Sequence, residues 1–573
     1  MTHSLFWRSL LLSGLFLASA GAVQTPRRRV PARPAVPAAP ATAPTPPPPR
    51  AADRITAEEL RSHVEFLASD ELEGRDTPSR GLDTAAKFLA HHAGRWGLKP
   101  AGDNGTFFQR IALRRERVLP DQSTGSFAGR TLRAGVDFLI TASGFPPSAS
   151  PGTAEGPLVY AGHGWMVKAK GLDPYAELDV KGKILLLHTP TGFGPPKGIE
   201  QADLSGMKGQ DWDDPQGSAQ RLGAVGIAWL PRFTTLANWD RSTGLGTRAR
   251  TVVQRFSPAG GLPAITLSAG LQQSLLQGEK LNAEEAFSRV IGADPAASFA
   301  LSAQKVLKFT VAAQTEELAT NNVVAILEGS DPQLKNEYVA LGAHYDHVGV
   351  REGQEGDRIF NGADDDASGT AALLAIAETV ARGPRPKRSL LFVWHAGEEK
   401  GLWGSRYFTE SPTVPLGQIV AQLNIDMIGR SKADGDTNPR NANLSGPNHI
   451  YVIGSKMMSD DLGALSEQVN SSYLKLEFDY RYDDPKDPNR FFFRSDHINY
   501  ARKGIPIIFY FDGVHEDYHR VSDHADRLDY RKLERVTRTI CATAVAIGNA
   551  ALRPAVVRPL PQEFQQNRPG RAR

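Results

Sequence analysis

A single cysteine, Cys541, stands among 573 residues, so neither an intrachain disulfide nor a cysteine-built structural zinc site can form. Charge of one sign is equally scarce. Lys and Arg number 66 against 63 Asp and Glu, and six of the arginines lie within the first 53 residues (Arg8, Arg27, Arg28, Arg29, Arg33 and Arg50). The remainder is close to neutral, which argues against the basic face that a nucleic-acid partner requires. Long apolar runs are short too: Leu10 to Ala18 falls well below the roughly 20 residues that cross a bilayer. What the chain does have is 40% apolar residues over a length suited to two or three domains, and enough His and carboxylates to hold a metal without sulfur.

The first 22 residues place Arg8 before that apolar run and follow it with the small-residue stretch Ala18 to Ala22, the layout of a cleavable secretory signal. Export is therefore expected, to the periplasm or outside the cell, with no membrane span after signal removal. Residues 23–54 form a linker rich in Pro and Ala, including VPARPAVPAAPATAPTPPPPR, in which little can be buried. A tail over 554–573 is expected to be flexible.

Between these ends three textures follow one another. Thr56 followed by Glu59 fits a helix cap, and a second helix runs through Thr84 to Ala90, so residues 55–135 are expected to pack on a neighbouring sheet. Residues 136–300 break into short strands separated by Gly and Pro, such as PLVYAGHG, GKILLLHTP, GAVGIAWLP and LPAITLS. The stretches DVKGKILLL and GAVGIAWL resemble the protease-associated domain, which implies a smaller β-rich α/β domain inserted in the chain. Residues 301–553 then alternate apolar strands (323–329, 338–344, 389–396, 419–426, 450–454 and 505–511) with helical stretches. This alternation predicts an α/β fold: a mixed, mainly parallel sheet covered by helices on both faces. Chemistry in such sheets lies beyond the carboxyl ends of the strands.

Ligand-type side chains occur at those ends. YVALGAHYDH leaves His344 and Asp346 after one strand, and NGADDDASG opens a helix with Asp364, Asp365 and Asp366. LLFVWHAGEE supplies Glu398 and Glu399, NIDMIGR supplies Asp426, and VHEDYHRVSDH supplies His515, Tyr518, His519, Asp523 and His524. Taken singly, an Asp run before a helix is a cap and a Glu pair after a strand is a solvated loop. Asp426 is harder to dismiss, because it interrupts an apolar strand where an unpaired carboxylate is costly.

GAHYDH, NGADDDASG, HAGEEKGLWGS, LNIDMIGR and DYHRVSDHADRLD, in this order, resemble the co-catalytic zinc aminopeptidases, whose wider family includes glutaminyl cyclases, glutamate carboxypeptidase and the transferrin receptor. The resemblance covers about Asn321 to Ala551 and implies two Zn²⁺ ions per chain. His344 and Asp426 would bind one, Glu399 and His519 the other, and Asp365, at the Gly-x-x-Asp spacing from Gly362, would bridge them. It further implies Glu398 as general base for a water activated between the metals, Asp346 as the carboxylate orienting His344, and Tyr518 as a phenol stabilising the tetrahedral intermediate. The substrates would be peptides with a free N-terminus. A glutaminyl cyclase-like or carboxypeptidase-like enzyme of the same fold, or a non-catalytic receptor or adhesion module, are the other readings. Phe491 to Phe493 could line a pocket or belong to the core, and Asp496 and His497 are not counted as ligands.

Overall fold

The computed structural model describes residues 51–140, 150–189, 195–204, 206–246, 249–257, 260–289, 298–351, 353, 355–484, 486–560 and 564. The expected secretory signal, the Pro-rich stretch up to Arg50 and most of the C-terminal tail lie outside the described residues.

The larger of two main sheets contains β1 (Lys99–Pro100), β2 (Phe108–Val118), β3 (Arg250–Val253), β4 (Ala313–Leu327), β5 (Tyr338–His344), β6 (Ser389–His395), β7 (Ile419–Ile425), β8 (His449–Ile453), β9 (Glu477–Asp479) and β10 (Ile507–Phe511). Their spatial order is β3-β2-β4-β6-β5-β7-β10-β8-β9, with β1 paired to β4. β6, β5, β7 and β10 run parallel at the centre. β4 joins β6, and β8 joins β10, in antiparallel fashion.

Side chains along these strands alternate between two cores, as a period of two requires. Val323, Ala325 and Leu327 of β4, with Val339, Leu341 and Ala343 of β5, face one core. Val324 and Ala340 face the other. The first core is covered by helices α1 (Ala57–Leu67), α2 (Arg80–Arg95), α3 (Gly369–Ala381) and α4 (Tyr530–Asn549). Thr56 caps α1 by accepting from the Glu59 amide at 3.2 Å, and Leu60, Val64 and Leu67 are buried at helical spacing. The N-terminal helices therefore share a core with the sheet that carries the ligand-type residues. On the opposite face lie the helices Trp403–Glu410 and His497–Ala501.

Close approach explains a glycine in the GLWGS stretch. A Cβ on Gly404 would stand 2.3 Å from Asn322 Oδ1 and 2.6 Å from the Ala396 backbone. The helix after the Glu398–Glu399 turn can thus lie flush on the sheet only with no side chain there.

The second main sheet takes its strands from Thr124 to Val311. Its centre is parallel, through Gly152–Tyr160, Ile184–His188, Gly226–Leu230 and Ala264–Leu267, and it has cores of its own. β3 comes from the same stretch of chain yet pairs with β2 in the larger sheet.

Candidate metal centre

The central parallel strands end on one side of the larger sheet, and their last residues turn inward together. His344 is the final residue of β5, Glu398 and Glu399 follow β6, Asp426 follows β7, and Tyr518 and His519 lie in the loop after β10. Burial is nearly complete at His344 (1% exposed), Asp365 (3%) and Asp426 (7%), whereas Glu398, Glu399, Tyr518 and His519 are partly exposed.

Of the three consecutive aspartates, only the middle one reaches the other donors. Asp364 Oδ1 accepts from the Gly429 amide at 2.7 Å, and its Oδ2 lies 3.1 Å from His515 Nε2. Asp366 accepts from the amides of Gly369, Met427 and His344 at 2.9, 3.1 and 3.2 Å. These two carboxylates lock the loop. Asp365 is left to point between two groups of donors, its own amide donating to Asp523 at 3.2 Å.

Asp365 Oδ1 stands 3.2 Å from His344 Nε2, which in turn is 3.6 Å from Asp426 Oδ1. Asp365 Oδ2 stands 3.0 Å from His519 Nε2, which is also 3.0 Å from Glu399 Oε2. His347 completes this second group, with Nδ1 2.9 Å from Glu399 Oε1. Within each group, His344–Asp365–Asp426 and His347–Asp365–Glu399–His519, one donor atom per residue lies within 4.8 Å of all the others. His344, Asp365, Glu399, Asp426 and His519 are thus gathered about a common centre. Cages of imidazole nitrogens and carboxylate oxygens at this spacing suit zinc or a similar divalent metal.

The electrostatics follow from packing so many charges into one place. Burial alone would lower His344, but Asp426, with Asp346 and Asp365, holds its imidazole well above the ordinary value. Burial would raise Asp365, yet His344, His347 and His519 hold it well below the carboxylate range. Burial, followed by the charges of Glu399, Asp426 and Asp496, pushes Glu398 well up against the opposing pull of His344.

Asp346 serves two neighbours. Its backbone carbonyl lies 3.1 Å from His344 Nδ1 while its carboxylate is 3.7 Å away, and that carboxylate accepts from the Glu398 amide at 3.1 Å. A cavity opens beside the donors, bounded by His344, Asp365, Glu398, Asp426, Tyr518 and Arg494, with Phe491, Phe509 and Val514 among its apolar walls. Tyr518 stacks on His519 with ring centroids 4.0 Å apart and accepts from Arg494 at 3.4 Å. Of the triple phenylalanine, Phe491 borders the cavity whereas Phe492 is fully buried in the core. Asp496 pairs with His395 at 3.3 Å and His497 lies 2.8 Å from the Phe492 carbonyl, so neither joins the donor groups. His524 lies 3.5 Å from Asp357, apart from the centre.

Sequence reasoning passed over several residues that the fold brings here. His347 was adjacent to the quoted HxD and carried its own signal, an imidazole one residue beyond Asp346. Ser495, which donates to Asp426 Oδ2 at 2.5 Å, and Arg75, whose guanidinium donates to the carbonyls of Tyr345, Asn361 and Gly362, had no local pattern to reveal them.

The segment bearing these strands and all the donors, residues 322–544, matches the profile of Peptidase family M28. Among similar proteins, a probable zinc metalloprotease of Pyrenophora teres f. teres (strain 0-1) is 39% identical over 124 residues, 21% of this chain and 26% of the relative. Leupeptin-inactivating enzyme 1 of Streptomyces exfoliatus is 28% identical over 236 residues, covering 40% of this chain and 45% of the relative. The chain thus spans between about a quarter and a half of these relatives' lengths. An aminopeptidase from Aneurinibacillus sp. strain AM-1 has a solved structure covering 89% of this chain and 96% of its own, at 17% identity and a TM-score of 0.47.

Proposed function

We propose that this protein is an exported, zinc-dependent aminopeptidase that hydrolyses the N-terminal bond of peptides. The observation that carries the reading is the Asp365 carboxylate, with one oxygen 3.2 Å from His344 and the other 3.0 Å from His519. A carboxylate so shared, between two sets of further donors, suits a bridge between two cations, whose mutual repulsion it offsets. His344 and Asp426 would hold one zinc, Glu399 and His519 the other. Bound there, the ions would polarise the scissile carbonyl and bring a water's pKa toward ~7.

The chain's own groups supply the proton steps. Glu398, on the cavity wall, takes the water's proton on its carboxylate and passes it to the leaving amine. Asp346 orients this machinery through the His344 ring and the Glu398 amide. Tyr518 is kept protonated by burial and by Asp365 and Glu399, so its hydroxyl can donate to the oxygen that gains charge.

Purified full-length protein should carry close to two zinc ions and release free amino acids from peptide N-termini, with both lost to a chelator. Absence of zinc binding, or conversion of N-terminal glutamine without release of an amino acid, would overturn this reading. Cleavage by a secretion-dependent signal peptidase after Ala20 or Ala22 would test export. The segment 136–300 is proposed to act as a protease-associated-like insertion, and its deletion should alter selection between long and short peptides.

Arg494 favours a second reading. It borders the cavity without an acidic partner within 4.0 Å among the described residues, so a substrate carboxylate could pair with it, as a carboxypeptidase-like enzyme would require. Peptides blocked at one terminus or the other separate the two. Cleavage of N-acetylated peptides and not C-amidated ones would favour this second reading.

A further inference from the structure

The two donor groups differ in number, three residues in one and four in the other, and the difference is His347. Its ring is fully buried, and among the described residues neither Nδ1 nor Nε2 has a partner in hydrogen-bond geometry. Two buried nitrogens left without a partner are costly to a folded protein. Yet Nδ1 is only 2.9 Å from Glu399 Oε1, a buried atom that among the described residues likewise meets no hydrogen-bond geometry. Two polar atoms this close would share a proton if the ring N–H were aimed at the oxygen. The pair attracts at this distance but does not meet hydrogen-bond geometry, a placement in which a cation between the two atoms would satisfy both.

The same signature marks the other pairs of the centre. His519 Nε2 stands 3.0 Å from both Asp365 Oδ2 and Glu399 Oε2, and His344 Nε2 stands 3.2 Å from Asp365 Oδ1. Separations near 3 Å are compatible with atoms on neighbouring corners of one metal's coordination shell. His347 is held in this pose from behind, its amide donating to the Arg75 carbonyl at 3.1 Å.

We propose that His347 is itself a metal donor, through Nδ1, so that the two metal positions are unequal. The position formed by His347, Asp365, Glu399 and His519 would offer four protein donors, the number that a tightly held zinc takes. The position formed by His344, Asp365 and Asp426 keeps an open place, the arrangement of an ion that exchanges and meets substrate. This proposal rests on the two-metal reading above.

The full-length protein, loaded with zinc and dialysed against graded chelator, tests it by metal content alone. The expected course is stepwise, one ion leaving at chelator concentrations at least about 100-fold below those needed for the second, with His347→Asn bringing the two steps together. Loading one equivalent of Co²⁺ should give paramagnetically shifted imidazole proton signals that include a set lost in His347→Asn. Thermal unfolding and circular dichroism identify a variant that has not folded, in which case His347→Gln takes its place. Simultaneous loss of both ions from the wild-type protein, or an unchanged set of shifted signals in a folded His347 variant, would overturn the proposal and leave the two-metal reading standing. Failure of the wild-type protein to bind any zinc would overturn both.

Discussion

Arg75 Nε donates to the carbonyl of Tyr345 at 2.9 Å, while the other end of the same guanidinium donates to Asn361 at 2.7 Å and Gly362 at 3.0 Å. One side chain from the segment between α1 and α2 therefore ties the end of β5 and the loop after it, which carry His344, Asp346 and His347, to the loop that carries Asp365. It also donates to Leu67 at the end of α1. Burial lowers this arginine to about 10, against the pull of Asp346, Asp366, Asp365 and Asp523, so it stays charged in the physiological range.

Arg75→Met should consequently do two things at once. It leaves several buried carbonyls without a donor, at about 1–3 kcal/mol each before relaxation, and it frees two donor-bearing loops to drift apart. A fall in the denaturation midpoint together with reduced zinc content is expected. A variant that loses stability but keeps full zinc occupancy would show that Arg75 supports the N-terminal layer alone.

Glu398→Gln separates proton transfer from metal binding. The amide keeps the size of the carboxylate, and Glu398 is not a member of either donor group. Zinc content should stay at the wild-type level while turnover falls by about 10²–10⁴-fold, the usual worth of a positioned general base. Turnover within a few-fold of wild type would assign the proton to another group.

Ser495 contributes through Asp426. Its hydroxyl donates to Asp426 Oδ2 at 2.5 Å and receives a hydrogen bond from Asn424 at 2.8 Å, so the carboxylate's direction is fixed by a chain of two side chains. Such support behind a ligand is typically worth 10–100-fold in metal affinity. Ser495→Ala should weaken zinc at the His344–Asp426 position by about that factor and leave the other position unchanged, measured by competition with a chelating dye. Equal weakening at both positions would mean that the substitution disturbs the whole centre.

How much of this was written in the chain varies with the kind of interaction. The strands expected over 338–344, 389–396 and 419–426 correspond to Tyr338–His344, Ser389–His395 and Ile419–Ile425, because strands buried on both faces are continuous apolar runs. β2 escaped notice for the opposite reason. Its sequence FQRIALRRERV is crowded with charge, yet Arg114 and Glu116 are buried and paired at 2.6 Å within the strand. A pairing between charged neighbours cannot be seen in an apolar pattern. At the centre, the residues on strand ends were legible because topology fixes where such ends go. Arg75 and Ser495 were not, since each acts on a loop more than 60 positions away and leaves no periodic trace.

The last prediction concerns Glu59 on α1, which faces Glu378 of α3. Burial, followed by its hydrogen bond and charge repulsion with Glu378, raises Glu59 from 4.5 to about 7, partly opposed by Thr56 and Arg382. The folded protein thus binds this proton more tightly than the unfolded chain does. Stability from the shared proton is fully present below about pH 4.5 and is lost as pH rises through 7. Glu59→Gln keeps a hydrogen-bonding side chain for the start of α1 and removes the ionisation. Its melting temperature should match wild type near pH 4.5 and rise progressively above it up to pH 7, with a constant advantage beyond. An advantage that is the same at every pH would place the effect in packing; no advantage at neutral pH would show that the two carboxylates move apart once charged.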